Sequence, residues 1–452
     1  MPRTLRWLSV FMIGLLASTS QTALAQTLQE AIDHVLKTHP EIRASIHNRL
    51  ARDQEVNQAR AGFYPTVDAT AGLGVNEVDH PLRGSFYPRS SVVGLRQNLF
   101  SFGVTTNEVA RQQSRVRSQA YLIQANAEYV SQQAARAFLN VLKAAELHAL
   151  AQENLVNHQR IYDQMKLRSD SGVERKADLD QVMGRLALAQ SNIVVTQANL
   201  EDARTDYIAV IGMPPGALVK PSPMDAGFPA DAEEAVRRAM EDYPLVKSAR
   251  ADLEARRFQY QTAKSDAYPK LDLTADYRWE NDVDREGYSE EFAAAALIRV
   301  NLFNGGRDSA RIAETLQQIR EAEQIYHNTE RQTIQSVRLS WEAYKAAMDK
   351  AVHLKSYVDA AGMTVDAFAK QWMVGRRTMF DVLDTQAEYI NARSDLVSAL
   401  YDKAYAEYRV LGAMGRLVHS LGLEWPAESM VEEAPPEGFA VPVPSEMGAD
   451  RS

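Results

Sequence analysis

The chain has 452 residues, 45 % hydrophobic and 24 % charged, the balance of an ordinary folded protein rather than a disordered or collagen-like one. Its 50 Lys and Arg stand against 59 Asp and Glu, and the net charge of −9 argues against nucleic acid as a main partner, because phosphate binding needs a basic stripe. There is no cysteine, which excludes a disulfide framework, a thiolate metal site, a cysteine nucleophile and a lipid-modified N-terminal Cys.

The N-terminus reads as a targeting segment. Arg3 and Arg6 precede an apolar run from Trp7 to Ala17, too short to cross a bilayer as a helix. Ala23, Leu24 and Ala25 form a small-x-small site, so residues 1–25 read as a cleaved secretory signal, with an uncleaved anchor as the alternative. No other stretch approaches the ~18 consecutive apolar residues of a membrane helix. A membrane crossing by the mature chain therefore has to use strands.

The chain repeats itself. Glu30 and Ala31 recur as Glu234 and Ala235, Pro40 as Pro244, and Tyr64 and Pro65 as Tyr268 and Pro269, all at an offset of 204. Asn98, Leu99 and Phe100 recur as Asn301, Leu302 and Phe303 at 203, and Gly172 and Asp178 as Gly375 and Asp381 at the same offset. A unit of that length is too long for a solenoid repeat and implies two equivalent halves. The first covers 26–212 and the second 232–421, with a Pro- and Gly-rich linker at 213–231. The Pro-rich, acidic tail at 422–452 is expected to be disordered.

Each half carries the same elements in order. Leu28 to Gly62 has helical periodicity through Leu28, Ile32, Val35, Ile42, Ile46 and Leu50, with Pro40 expected to break it. The period then changes to two. In the hairpin at 66–100, Val67, Ala69, Ala71 and Leu73 alternate with polar or small residues, a polar loop follows at 78–89, and Val93, Leu95 and Leu99 share a face opposite Arg96 and Asn98. In the hairpin at 270–303, Leu271, Leu273, Tyr277 and Trp279 alternate with Asp272, Thr274, Asp276 and Arg278, and Ala296, Ile298, Val300 and Leu302 alternate with Arg299 and Asn301. Four strands of about ten residues match the length of transmembrane β-strands.

Each hairpin leads into a long helical stretch, Val104 to Arg168 and Gly306 to Trp372. In the second, Ile334, Trp341 and Met348 lie seven apart and Val337 and Tyr344 join them, as in a coiled coil. Gly172 and Gly375 mark turns, and the return helices start with Asp178 and Asp180 or with Asp381 and Asp384. Such helices cannot all pack around one compact core. A four-stranded sheet with one apolar and one charged face leaves two open edges and cannot close a barrel. Several chains contributing to one barrel would solve both problems, and a water-soluble sheet packed on helices is the alternative.

Signal, helix, hairpin and long helix pair, repeated, resemble the TolC family of outer-membrane efflux and type I secretion channels over nearly all of residues 27–421. The sharpest piece, Trp372 to Asp384 (W-M-V-G-R-R-T-M-F-D-V-L-D), is similar to that family's G-x-R-T-x-x-D-V-L-D turn at the periplasmic tip, and Asn301 to Gly306 is similar to its strand-to-helix junction. The resemblance implies a mainly α fold with a small β part. It implies a homotrimer with one twelve-strand barrel in the outer-membrane lipid and a coiled-coil tunnel of twelve helices in the periplasm. A periplasmic adaptor and an inner-membrane pump, with an ABC transporter expected, would dock at the tip, with no cofactor and no chemistry.

It also implies roles for particular residues. Arg377 and Asp178 would be donor and acceptor in a polar network closing the tip, between halves or between neighbouring chains. Trp372 stands where the family often has Tyr, and an indole donates but cannot accept. Asp381 and Asp384, spaced i, i+3, would form constriction rings in a trimer. The plainer reading is that these are solvated turn residues and acids that favour a helix N-terminus. Enzyme motifs are lacking: no G-x-x-x-x-G-K-[ST], no G-x-S-x-G and no H-E-x-x-H occurs. His34 and His39 are five apart, a poor spacing for a shared helical metal site. A barrel-less periplasmic adaptor or structural protein is the competing class. Protein secretion competes with drug or metal efflux, and the lack of a lipidation Cys tilts the balance towards type I protein secretion.

Overall fold

The computed structural model describes residues 25–78, 84–222, 227–283 and 287–431. The expected signal segment lies almost wholly outside these residues. The chain starts with β1 (Ala25–Gln26), α1 (Leu28–Thr38) and α2 (Pro40–Ala61). Thr27 and Glu30 close a capping box on α1. Pro40 breaks the helical run as its chemistry requires and sits at the first turn of α2, where its missing N–H costs nothing.

The strands follow: β2 (Thr66–Leu73), β3 (Asn76–Val78), β4 (Gly84–Phe86) and β5 (Arg89–Phe100). The polar loop expected at 78–89 is therefore partly a ladder, with β3 pairing antiparallel with β4. Gly74 N–H donates to the Pro88 carbonyl at 2.9 Å across the break, so the hairpin resumes beyond it. Next come α3 (Val104–Asp170) and α4 (Lys176–Ile211), then β6 (Ala217–Leu218), α5 (Ala232–Asp242) and α6 (Pro244–Asp266). The second hairpin, β7 (Lys270–Asn281) and β8 (Tyr288–Arg299), leads to α7 (Arg307–Met373), α8 (Met379–Ala413) and the short α9 (Leu417–Ser420). Helices α3 and α7 each have 67 residues, roughly 100 Å at 1.5 Å per residue. No described helix is long and apolar enough to cross a membrane.

The four long strands form one antiparallel sheet in the order β2-β5-β7-β8, with β2 and β8 at the edges. The register confirms two distinct faces. Leu95 and Val93 lie opposite Ala275 and Tyr277, while Arg96 and Gly94 lie opposite Thr274 and Asp276. Ile298 pairs with Leu271 and Ala296 with Leu273, so the apolar face continues across β8. Two details differ from the alternation read in sequence. The register shifts between Asn98 and Phe100, and Phe100 rather than Leu99 pairs with Leu271. Strand β8 stops at Arg299, so Val300 and Leu302 lie past it. There the Asn301 side chain accepts from Phe303 N–H, and Gly305 and Gly306 turn the chain at positive φ.

The main core sits midway along the helices, where α1, α3, α4, α5, α8 and α9 meet around Ile32, Phe138, Tyr207, Tyr408 and Leu411. Part of the linker is tied down there. β6 pairs in parallel with β1, and Phe228 packs on the rings of Trp341 and Tyr344, with centroids 6.0 and 4.9 Å away. The tail expected to be disordered from 422 is ordered as far as 431. Leu423 and Trp425 pack against the core, and a 3₁₀ turn at Ala427–Ser429 puts the buried Ser429 carbonyl 2.9 Å from Gln124 Nε2. Prolines kept this segment from looking helical, but two large apolar side chains help to anchor it. The rest of the tail lies outside the described residues.

Candidate functional site at the helix tips

The end of the molecule far from the sheet is made by two equivalent turns, α3 to α4 and α7 to α8. Each needs a residue in the left-handed region. Gly172 has φ 76° and Gly375 φ 73°. Val173 N–H reaches back to the Arg168 carbonyl and Arg376 N–H to that of Gln371, both at 2.9 Å, which satisfies carbonyls the helix ends leave open. No atom lies within 4 Å of a Cβ built on either glycine. Alanine at Gly375 should therefore cost only backbone strain, about 1–2 kcal/mol, read as a lower unfolding midpoint. An unchanged midpoint would mean that the turn relaxes.

An apolar cluster pins the two turns together. Met165, Val182, Met379, Val382 and Leu383 are buried, with Phe368 and Trp372 packed against them. Trp372 belongs to this cluster, and the Arg168 guanidinium lies 5.4 Å from its ring centre. Within one chain its contacts are those of packing, and no hydrogen bond of its indole N–H is found among the described residues.

Arg377 does not reach Asp178 within the chain. Its guanidinium lies 4.1 Å from the Phe368 ring centre, its Nε donates to Gln371 Oε1 at 3.3 Å, and its Nη1 is 3.8 Å from Asp381 Oδ1. Asp178 sits in the first turn of α4, and among the described residues its side chain has no hydrogen bond or ion pair. The two acids at the start of α8 have different partners. Asp381 completes a capping box with Thr378, and the bonds from the Thr378 hydroxyl and N–H hold its carboxyl below the usual range. Asp384 pairs with Arg185 of α4 at 2.7 Å. Both carboxylates stay open to solvent, with 37 % and 67 % of the side chain exposed.

Sequence reasoning missed Arg185. The signal was present: Arg185 lies seven residues after Asp178, on the same face of α4, and its counterpart in α8 at the repeat offset is the oppositely charged Glu388. Arg185 is the lowest of several polar rungs. Arg393 bonds Glu153 at 2.7 Å, Tyr401 bonds Glu146 at 2.9 Å and Tyr357 bonds Glu388 at 2.7 Å. These polar bonds to α3, α4 and α7 add to the apolar packing of α8, and the exposed ones are each worth little alone.

Comparison with known proteins agrees with this architecture. The profile of the family described as "Outer membrane efflux protein" matches residues 31–212 and again 235–416, one match per half. The outer membrane efflux protein BepC of Brucella suis is 24 % identical over 411 residues, 90 % of this chain and 89 % of BepC. The proteases secretion protein PrtF of Dickeya chrysanthemi is 23 % identical over 422 residues, 87 % of this chain and 89 % of PrtF. A solved structure of CusC superposes with a TM-score of 0.75 at 16 % identity, covering 86 % of this chain and 92 % of that one, a likeness of fold. With two duplicated halves, a sheet of membrane-length strands and helices of periplasmic length, the chain belongs to the outer membrane efflux protein family, the non-enzymatic outer-membrane channels of tripartite export systems.

Proposed function

We propose that three copies of the chain close one twelve-strand barrel in the outer membrane and continue as a twelve-helix tunnel into the periplasm. This duct carries protein in one step from an inner-membrane ABC transporter, through a periplasmic adaptor, as in type I secretion. The observation that carries the assembly is the four-stranded sheet with two open edges and one apolar face. Edge backbone groups find no water in a bilayer, so β8 of one copy needs β2 of the next. Native mass in mild detergent is expected to be that of a trimer. A monodisperse monomer that still conducts ions would overturn the proposal.

Protein cargo is supported by the likeness to PrtF over 89 % of its length and by the absence of a lipidation cysteine, which sets the chain apart from lipid-anchored drug-efflux members. Small-molecule efflux is the second reading, favoured by the likeness to BepC. A deletion strain separates them. Loss of a protein from the medium with drug tolerance unchanged supports secretion, and the reverse assigns efflux.

At the tip, Arg377 closes the resting duct by reaching Asp178 of a neighbouring copy, because its planar fork can hold a carboxylate and a second acceptor at once. Arg377→Ser should raise single-channel conductance. Unchanged conductance would return Arg377 to a solvated turn residue. Asp381→Ala with Asp384→Ala should instead abolish block by multivalent cations, since rings of carboxylates in a narrow passage focus negative potential. Block that survives in the double variant would remove these residues from the constriction.

A further inference from the structure

The polar face of the sheet carries a side-chain cluster that neither closes the tip nor pairs the edges. Asp272 of β7 is a buried carboxylate, with only 3 % of its side chain exposed. Its Oδ2 accepts from Arg96 Nη2 of β5 at 3.0 Å and from Arg299 Nη2 of β8 at 2.7 Å, and its Oδ1 accepts from Asn98 Nδ2 at 2.9 Å. Two guanidiniums thus lie side by side on a single oxygen. One arginine would have balanced the aspartate, so the cluster keeps a surplus positive charge. Each guanidinium gives Asp272 one of its five N–H groups. The two side chains are 55 % and 52 % exposed. A fixed pair of guanidiniums with free, exposed donors is a fork suited to a further carboxylate or phosphate.

The cluster's place in the fold gives it a use. It lies at the end of the sheet where α2, α3, α6 and α7 attach, the passage between strands and helices. Neighbouring charges bound it. Lys270 is paired with Asp266 at 2.5 Å and adds no net charge. Two residues further along the strands, Asp68 and Asp276 flank Gly94 on the same face, and the Asp276 carboxylate leans over that glycine. Beyond the arginines the face is therefore acidic.

We propose that Arg96 and Arg299, held by Asp272, form an anion subsite at the junction of barrel and tunnel that takes multivalent carboxylate- or phosphate-bearing solutes arriving from the tunnel. The proposal rests on the duct reading, which turns this face to the lumen and repeats the subsite three times. The acidic residues beyond it make the site accessible from the tunnel side and guard it from the outside.

Planar-bilayer recordings on the whole assembly, with sodium tripolyphosphate added to one side at a time, test this. Block of the current is expected at lower concentration from the periplasmic side. Arg96→Gln with Arg299→Gln and Asp272→Asn leaves no buried charge unpaired, and should raise the half-blocking concentration at least about tenfold, a change of about 1.4 kcal/mol. Equal block of the wild type and the triple variant, or stronger block from the outer side, would overturn the subsite while leaving the duct intact. A wild type that opens no channels would remove the duct reading and the subsite with it.

Discussion

An arginine at Leu273 should prevent the protein from assembling in a membrane, whereas an arginine at Thr274 should be tolerated. The two positions are adjacent in β7 but point to opposite faces. Leu273 lies on the face shared by Leu271, Ala275, Tyr277 and Trp279, and its partner across β8 is Ala296. Thr274 lies opposite Arg96 and Ala295 on the face that also carries Asp272, Asp276 and Arg278. In a barrel the apolar face meets lipid, where an arginine near mid-membrane costs ~2–4 kcal/mol, and every copy in the assembly bears that cost. On the other face the same charge is hydrated. The fraction of each variant recovered as oligomer from outer membranes in mild detergent measures the difference. Equal losses would mean that the face assignment is wrong.

This contrast was legible in the sequence because strand periodicity is local. Leu271, Leu273, Tyr277 and Trp279 alternate with charged residues whatever lies beside them. The duplication was legible for a similar reason: Gly172 and Gly375 occupy turns that demand positive φ, so both copies kept glycine there. What escaped were the pairings between distant segments. Nothing near Val93 says that Tyr277 is its neighbour, because β5 and β7 belong to different halves of the chain. Arg377 and Asp381 carried a motif, yet the motif does not say that Arg377 rests on Phe368 or that Asp384 answers Arg185. Glu128 was the hardest case. It lies in α3 between Ala127 and Tyr129 and looks like any solvated acid on a long helix. Its burial is decided by Trp425, nearly 300 positions later in a segment whose prolines suggested disorder.

Removing the Glu128 carboxylate should unfasten that segment. Glu128 Oε2 accepts from Leu417 N–H at 2.8 Å, and its Oε1 accepts from Val418 N–H at 3.3 Å and Trp425 Nε1–H at 2.9 Å. Among the described residues no cation pairs with it. Glu128→Leu would bury three donors without an acceptor, a loss of about 3 kcal/mol or more. The variant should melt at lower temperature and be cleaved by proteases within 416–431 while α3 stays intact. A variant as resistant as the wild type would show that Leu423 and Trp425 hold the strap by packing alone.

A dependence on pH follows from the same site. Burial pushes the Glu128 carboxyl up from 4.5 to about 7, although the three N–H donors oppose the rise, and the buried Tyr243 hydroxyl nearby is pushed up in turn by its own burial and by the Glu128 charge. The folded protein therefore binds a proton at Glu128 that the unfolded chain releases between pH 4.5 and 7. The stabilising contribution is complete below about 4.5, declines as pH rises through about 7 and is constant above that, with a total of order 3 kcal/mol. Glu128→Gln cannot titrate, and its amide oxygen can keep two of the three donors. Its melting temperature should lack this component of the fall between pH 5 and pH 8. The same slope in wild type and Glu128→Gln would place the titration on another group, and the strap would then be held by a carboxylate that stays ionised throughout this range.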